Sequence, residues 1–279
     1  MNRLAKSDWV GRLAKAASIP FLLLFSFVTI IPVYIMFKVS VAEPSEVLTQ
    51  HPTFWIHQFN FSHWMKVFQS GNLWEPLFKS LVVATGTTFL AILIAAPAAY
   101  VISRLPKGWK YGIILSLLFT RMFPDVGIAL PIAVNFIKFN LLDTNIGLIL
   151  AHLIPNLPFL AWILVGTFDT IPQDLEKAAT VDGATRFQSL VKVVFPLALP
   201  GIAVGAMFIW LNSWNEFTYA IYLTLTDRTL PLQTYYYVSR GDWFQSAAYS
   251  TILTIPVILI TFILQRYLKS GYLSGAVKG

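Results

Sequence analysis

The 279-residue sequence contains no cysteine and little charge: 12% of its residues are Asp, Glu, Lys or Arg. The first absence excludes disulfides, thiolate metal sites and a cysteine nucleophile, and leaves the redox compartment unmarked. The second excludes an ordinary soluble domain, which carries about 25% charged residues and needs them to cover its surface. With 56% hydrophobic residues, the chain must have lipid as its main solvent. Also missing is any G-x-x-x-x-G-K-[ST] phosphate loop, since Lys278-Gly279 ends the sequence and opens no helix. No His-Glu-x-x-His pattern and no serine–histidine nucleophile motif occurs. The outer-loop histidines His51, His57 and His63 read as interfacial hydrogen-bonding groups, and no metal site is assigned. The sequence therefore carries no catalytic site, no metal and no cofactor. ATP and its Mg²⁺, if used, belong to another chain.

What is present is a series of long apolar runs. A helix needs about 20 mostly apolar residues to cross the hydrocarbon core, and candidate spans fall at 17–40, 77–103, 111–137, 145–168, 199–224 and 247–268. Continuous runs, rather than alternation at every second residue, exclude a β-barrel. Helices then remain, because every backbone polar group must be satisfied within the segment. The expected fold is an all-α membrane protein of six transmembrane helices. Residues 1–76 form a first span and outer loop, 77–268 the core, and 269–279 a tail. The first apolar run far exceeds the about 7–15 residues of a signal-peptide core, so it reads as a retained span. Prolines 32, 97, 124, 131, 155, 158 and 256 fall inside spans, where neighbouring helices can re-satisfy freed carbonyls.

The formal charge of +7 is not gathered in one patch, which argues against a nucleic-acid partner. It lies in clusters between the spans, as membrane orientation requires. With the N-terminus inside, the cytoplasmic side holds Arg3, Lys6, Arg12, Lys15, Arg104, Lys107, Lys110, Lys177, Arg186, Lys192, Arg266, Lys269 and Lys278. Both termini are then expected in the cytoplasm. On that orientation 42–76 and 225–246 face outward, both rich in aromatics, and 169–198 faces inward.

Polar residues inside the apolar runs are costly in lipid and mark candidate functional positions. Arg121 and Asp125 are four residues apart, which would place both on one face of a continuous third helix. With Asn135, that face is a candidate translocation path or a structural pair at Pro124. Asn215 and Glu216, in the fifth run, are candidates for the same path; for Glu216 the alternative is a local ion pair or a capped helix end near the outer interface. The inner loop carries an apolar helical pattern through Leu175, Ala178 and Ala179 after Pro172, is interrupted at Gly183, and resumes from Phe187 to Phe195. That is two short helices meeting at a bend, lying against the bilayer or docked in a partner's groove.

This loop, FDTIPQDLEKAATVDGATRFQSLVKVVFPLALP, resembles the cytoplasmic EAA loop of permease subunits in ATP-binding-cassette (ABC) importers. Ala178, Ala179, Asp182, Gly183, Ala184 and Pro196 fall at matching positions. Lys177 stands where the motif has Glu, with Glu176 just before it. The tail LQRYLKSGYLSGAVKG and the segment Trp214-Asn215-Glu216-Phe217 resemble the carbohydrate branch, and the maltose-type permease in particular. The resemblance implies the type I importer permease fold in a bacterial or archaeal cell membrane. It implies ATPase coupling through Leu175, Glu176, Lys177, Ala178, Ala179, Asp182, Gly183, Ala184 and Phe187. It implies a tail contact through Gly271, Gly275, Ala276, Val277, Lys278 and Gly279. It further implies a contact of the outer loop, at Tyr235, Tyr236, Tyr237, Asp242 and Trp243, with an extracytoplasmic solute-binding protein. The implied partners are a second homologous permease, two ATPase subunits, that binding protein, membrane lipid and a carbohydrate solute. An ion-driven carrier or channel would account for Arg121, Asp125 and Glu216 as coupling groups. It gives no reason for an amphipathic helix pair in the cytoplasm.

Overall fold

The computed structural model describes residues 2–273, with side chains from 18 to 263. Gly275, Ala276, Val277, Lys278 and Gly279, expected in the tail contact, lie outside the described residues. Among those described there is no strand, only one antiparallel bridge between Ala42 and Phe59. Five helices are long and apolar enough to cross a membrane, or up to six if one bent pair counts as a span. The described residues divide into two compact units, one holding residues up to 70 with 237–252 and the other 71–236 with those from 253 on.

In the smaller unit, α1 (Asn2–Val41) is a continuous helix whose side chains from Ser18 to Ile31 are almost all exposed. An apolar surface of this kind is suited to lipid, not water. The short α2 (Pro44–Val47) and α3 (Ser62–Gln69) follow. Glu46 accepts from the backbone of His57 and Gln58, and Glu43 from Asn60 Nδ2 at 2.7 Å, which ties the loop back to α2. His63 stacks on Phe244 with ring centroids 4.7 Å apart.

The larger unit is built on α4 (Trp74–Ser103), α7 (Asn145–Asp169) and α10 (Phe195–Trp214). Lipid tails are as apolar as leucine, so helices in a membrane associate by close packing of small residues. On α4 those are Ala84, Ala91, Ala95 and Ala99, all buried. Three glycines permit similarly close approach. A Cβ at Gly86 would lie 2.7 Å from Ile149, one at Gly201 2.3 Å from Thr167, and one at Gly205 2.5 Å from Leu160. Leu160, Leu164, Phe168, Val194, Ala198 and Ile209 complete the core between α7 and α10.

Between α4 and α7 the chain forms α5 (Lys107–Thr120) and α6 (Asp125–Lys138), bent by 80° at the break. This corrects the expectation of one straight third span. Arg121 closes α5, Pro124 is the N-cap of α6, and Asp125 is the first residue of α6. The physical reason lies in Pro124, which disfavours helical backbone at the residue before it. Asp125 then sits where helix N-termini favour negative charge. Arg121 and Asp125 therefore do not share one helix face.

After α7 come α8 (Gln173–Val181) and α9 (Arg186–Ser189). Gly183, between them, has φ +88°, backbone open to glycine and strained for other residues. Thr185 opens α9 with a reciprocal cap. Its hydroxyl accepts from the Gln188 N–H at 3.2 Å, and its own N–H donates to Gln188 Oε1 at 2.9 Å. A π-helical turn, Leu190–Val194, carries α9 into α10. The fifth helical run thus covers Arg186–Trp214 and stops there, earlier than the expected end near 224. After a break come α11 (Thr218–Leu223), α12 (Leu230–Ser239) and α13 (Trp243–Leu273). Gly271 falls in the last turn of α13.

Candidate functional site

The helix pair α8–α9 presents its apolar residues outward. Val181 is 87% exposed and Phe187 73%, and Leu175 is also exposed. Ala178, Asp182 and Gly183 are exposed as well, while Ala179 and Ala184 are half-buried. The corner is closed by backbone bonds from Asp182 to Ala178 and from Ala184 to Ala179, at 3.0 and 2.9 Å.

The two charged residues at the motif's opening point in different directions. Glu176 turns toward the end of α4, where it accepts from the Arg104 guanidinium and from Tyr100 OH, the latter at 2.6 Å. Arg104 also donates to the Phe168 carbonyl at 3.1 Å, so three elements meet at this one cation. Beside them Lys110 bonds Asp169 at 2.7 Å. Lys177 is exposed and pairs with Asp174 at 2.9 Å. That hydrogen bond holds Asp174 below the usual carboxylate range and Lys177 above its ordinary value. An exposed pair of this kind contributes little to stability. The clamp on α8 is Glu176, not Lys177.

A second polar node lies inside the bundle. Glu216 sits in the break between α10 and α11 and caps α11. Its Oε1 accepts from the Tyr219 N–H at 2.7 Å and its Oε2 from the Ala220 N–H at 3.2 Å. The Oε2 atom also lies 3.1 Å from Nε2 of His152, a side chain 1% exposed on α7. His152 Nδ1 is 2.7 Å from Ser213 Oγ on α10. Tyr219 OH donates to Asp125 Oδ1 at 3.1 Å, which links α11 to the start of α6.

Two open cavities flank this node. One of about 520 Å³ is lined by Asp125, Phe208, Asn212, Asn215 and Glu216 among others. The other, about 240 Å³, includes Arg121, Asp125, Pro155 and Tyr219. Arg121 sits 5.0 Å over the Phe159 ring. Of the candidate path residues, Asp125, Asn215 and Glu216 therefore share one cavity, and Arg121 joins Asp125 in the next. Asn135 does not join them; it donates to its own helix at Pro131 O, 3.0 Å away. His152, Ser213 and Tyr219 were missed in the sequence, although an ionisable His152 within an apolar run is itself a signal.

On the remaining side, Asp143 ties loops together. Its carboxylate accepts from Leu225 N at 2.9 Å, Thr226 N at 3.1 Å and Thr226 Oγ1 at 2.6 Å, with Lys79 Nζ 3.8 Å away. Burial pushes the Asp143 carboxyl up, but these bonds and the Lys79 charge outweigh it and hold it below the usual range. A depressed carboxyl stabilises the fold above its unfolded value, about 3.9, and that stabilisation is lost as pH falls through the folded value. Melting temperature should therefore drop on acidification below about pH 4, and Asp143→Asn should shrink that acid-dependent drop.

The five outer-loop candidates divide between the units. In the larger one, Tyr235 packs edge-on to Phe217 at 5.1 Å and Tyr236 lies 4.2 Å beneath Arg228. In the smaller one, Tyr237 stacks on Tyr249 at 4.9 Å, Asp242 accepts from Gln245 N at 3.0 Å, and Trp243 is exposed.

Apolar helices around small-residue contacts, polar cavities at a helix break and an exposed apolar helix pair define a membrane-embedded subunit of a transport assembly. The chain belongs to the family of binding-protein-dependent transport system inner membrane components, whose model matches residues 88–273. It is 34% identical to the trehalose transport system permease protein SugB of Mycobacterium tuberculosis, over 78% of this chain and 82% of that one. It is also 34% identical to the sulfoquinovosyl glycerol transport system permease protein SmoH of Agrobacterium fabrum, over 83% of each. The trehalose/maltose transport system permease protein MalG of Thermococcus litoralis is 29% identical over 80% of this chain and 83% of its own length. In fold, the chain is similar to a subunit of a bacterial ABC transporter involved in importing the acidic polysaccharide alginate. The TM-score is 0.75 at 22% identity, covering 92% of this chain and 96% of that one.

Proposed function

We propose that this chain is one of two permease subunits in an ATP-driven importer of a carbohydrate, working between an extracytoplasmic binding protein and a pair of ATPases. The observation that carries this reading is the exposed corner of Val181 and Phe187 on a helix pair clamped to the bundle by Glu176. Apolar side chains at such exposure on an extramembrane corner are suited to a partner's groove. In this account the loop 169–198 and both chain ends face the cytoplasm of a bacterial or archaeal cell. ATP and Mg²⁺ are held by the partner ATPases, and motion of that pair reaches the helices through α8–α9. The C-terminal residues Gly271 and Gly275 to Gly279 reach the same partner. The outer-loop residues Tyr235, Tyr236, Tyr237, Asp242 and Trp243 meet the binding protein. Asp125, Asn215 and Glu216, with Arg121 beyond them, line this chain's half of the path. Carbohydrate is supported by relatives whose names specify trehalose, maltose and sulfoquinovosyl glycerol.

The test is purification of the complex from its native membrane. An ATPase should co-purify with the full chain and be lost when residues 172–190 are deleted from an otherwise inserted chain. An ATPase retained without that segment would overturn the docking role.

A further inference from the structure

A cavity of about 280 Å³ lies between the end of α4 and the α8–α9 corner. Its lining brings three cations, Arg104, Lys177 and Arg186, against a single carboxylate, Glu176. The carboxylate is already matched, since Oε1 accepts from Arg104 and Oε2 from Tyr100 OH. Lys177 is matched as well, by Asp174. Arg186 is not: exposed on α9, it makes no ion pair among the described residues. The cavity therefore keeps one uncompensated positive charge.

Two buried donors beside it are also left over. Arg104 Nε is closed to solvent and has no hydrogen-bond partner, although both terminal nitrogens of the same guanidinium do. Ser189, 4% exposed at the end of α9, leaves its hydroxyl unpartnered. A helical serine or threonine can return that hydroxyl to a carbonyl one turn back, as Thr180 on α8 does to Glu176 O at 2.9 Å. An unpaired buried donor carries its full desolvation cost, so two beside one cavity call for an acceptor. Water would satisfy the donors but not the charge. An anion with several acceptor oxygens satisfies both.

We propose that this cavity binds a phosphate group, borne by an anionic lipid headgroup or by a free phosphate ester, between Arg186 and Ser189 on α9 and Arg104 at the end of α4. Phosphate spreads its charge over several strong acceptors, and arginine is the side chain whose donors match that geometry. The volume suits a headgroup, because pockets that enclose a whole drug-sized ligand run from about 300 to 1,000 Å³. The place suits it too, since basic pockets at the cytoplasmic ends of spans receive anionic headgroups. That setting rests on the reading that α8–α9 lies on the cytoplasmic side. Bound there, the phosphate joins α9 to α4, as Glu176 joins α8 to α4.

The test uses the full chain, purified in detergent without an ATPase, whose own phosphate binding would mask the site. In one arm, radiolabelled orthophosphate is bound in equilibrium dialysis. In the other, mixed micelles supply phosphatidylglycerol or zwitterionic phosphatidylcholine, and retained lipid is read by native mass spectrometry. Arg186→Gln should weaken binding by about tenfold, equivalent to about 1.4 kcal/mol, and Ser189→Ala by about threefold. Lys138→Gln, a basic residue outside the cavity, should change nothing. Orthophosphate binding marks a free phosphate ester as the source; binding of phosphatidylglycerol alone marks a lipid headgroup. Either supports the site. No binding in either arm, or equal affinity in all four proteins, overturns it. If Arg186→Gln fails to fold, Ser189→Ala decides. Without ligand it should melt no lower than wild type, because it removes an unpaired hydroxyl, and the ligand should raise its melting temperature less. A serine variant that melts lower without ligand and gains as much from it overturns the proposal. Absent binding rejects this site alone, whereas an intact chain that brings down no ATPase rejects the importer reading.

Discussion

In the Glu176→Ala variant, solute moved per ATP hydrolysed falls by about thirtyfold while the helices remain inserted and the ATPase remains bound. The magnitude follows from the contacts removed. Glu176 accepts a charge-assisted bond from Arg104 and a second from Tyr100 OH, both partly shielded from solvent. Losing such bonds and leaving the Arg104 charge unbalanced costs about 2 kcal/mol, discounted from the 3–5 of a fully buried pair. That is about thirtyfold in the equilibrium between clamped and released arrangements, and it reaches the coupling ratio in full where the released form then dominates. An unclamped α8 can still sit in a partner's groove through Val181 and Phe187, but it no longer passes that partner's motion to α4. Hydrolysis then continues without transport. Tyr100→Phe removes one neutral donor and should cost less, about threefold. Lys177→Ala, which disturbs only the exposed pair with Asp174, should leave the ratio near wild type. The ratio of uptake to phosphate release, measured on one reconstituted sample, reads all three.

Gly183→Val produces the second large loss. Its φ of +88° is backbone that a β-branched residue adopts only under strain. No atom lies within 4 Å of the Cβ it would carry, so the effect is conformational, not steric crowding by neighbours. The cost is about 1–2 kcal/mol, and the bend relieves it by opening, which rotates α8 against α9. Coupled uptake should fall by about tenfold. Gly183→Asn, a residue that tolerates left-handed backbone, should lose much less. A valine variant with normal coupling would mean the bend is not transmitted to a partner.

Much of this architecture was legible in the sequence because lipid permits few solutions. Long apolar runs fix helices by length alone, and the glycine between two helical patterns marked the corner at Gly183. The break at Arg121–Asp125 was not read. Pro124 inside an apolar run suits a tolerated kink and a helix end alike, and the restriction it places on Phe123 was the available signal. For Glu216 the sequence left open a path-lining group, a local ion pair or a capped helix end, and the folded chain puts it past the end of α10, where it caps α11. What no single sequence offers is partnership at long separation. Nothing local pairs Arg104 with Glu176, 72 positions on, or His152 with Glu216. Lys177 is the departure from the motif that the loop resembles. The folded chain places the structural weight on Glu176 instead.

A separate ATPase is the proposed source of the energy this chain uses, and one measurement tests that directly. The complex is purified, reconstituted in proteoliposomes with the loaded binding protein outside, and assayed for uptake of the solute that the binding protein carries. Uptake should require ATP in the ATPase compartment, persist after ion gradients are collapsed, and fall by about thirtyfold per ATP hydrolysed with Glu176→Ala. Uptake by the purified chain alone, driven by an ion gradient without ATP, would contradict it.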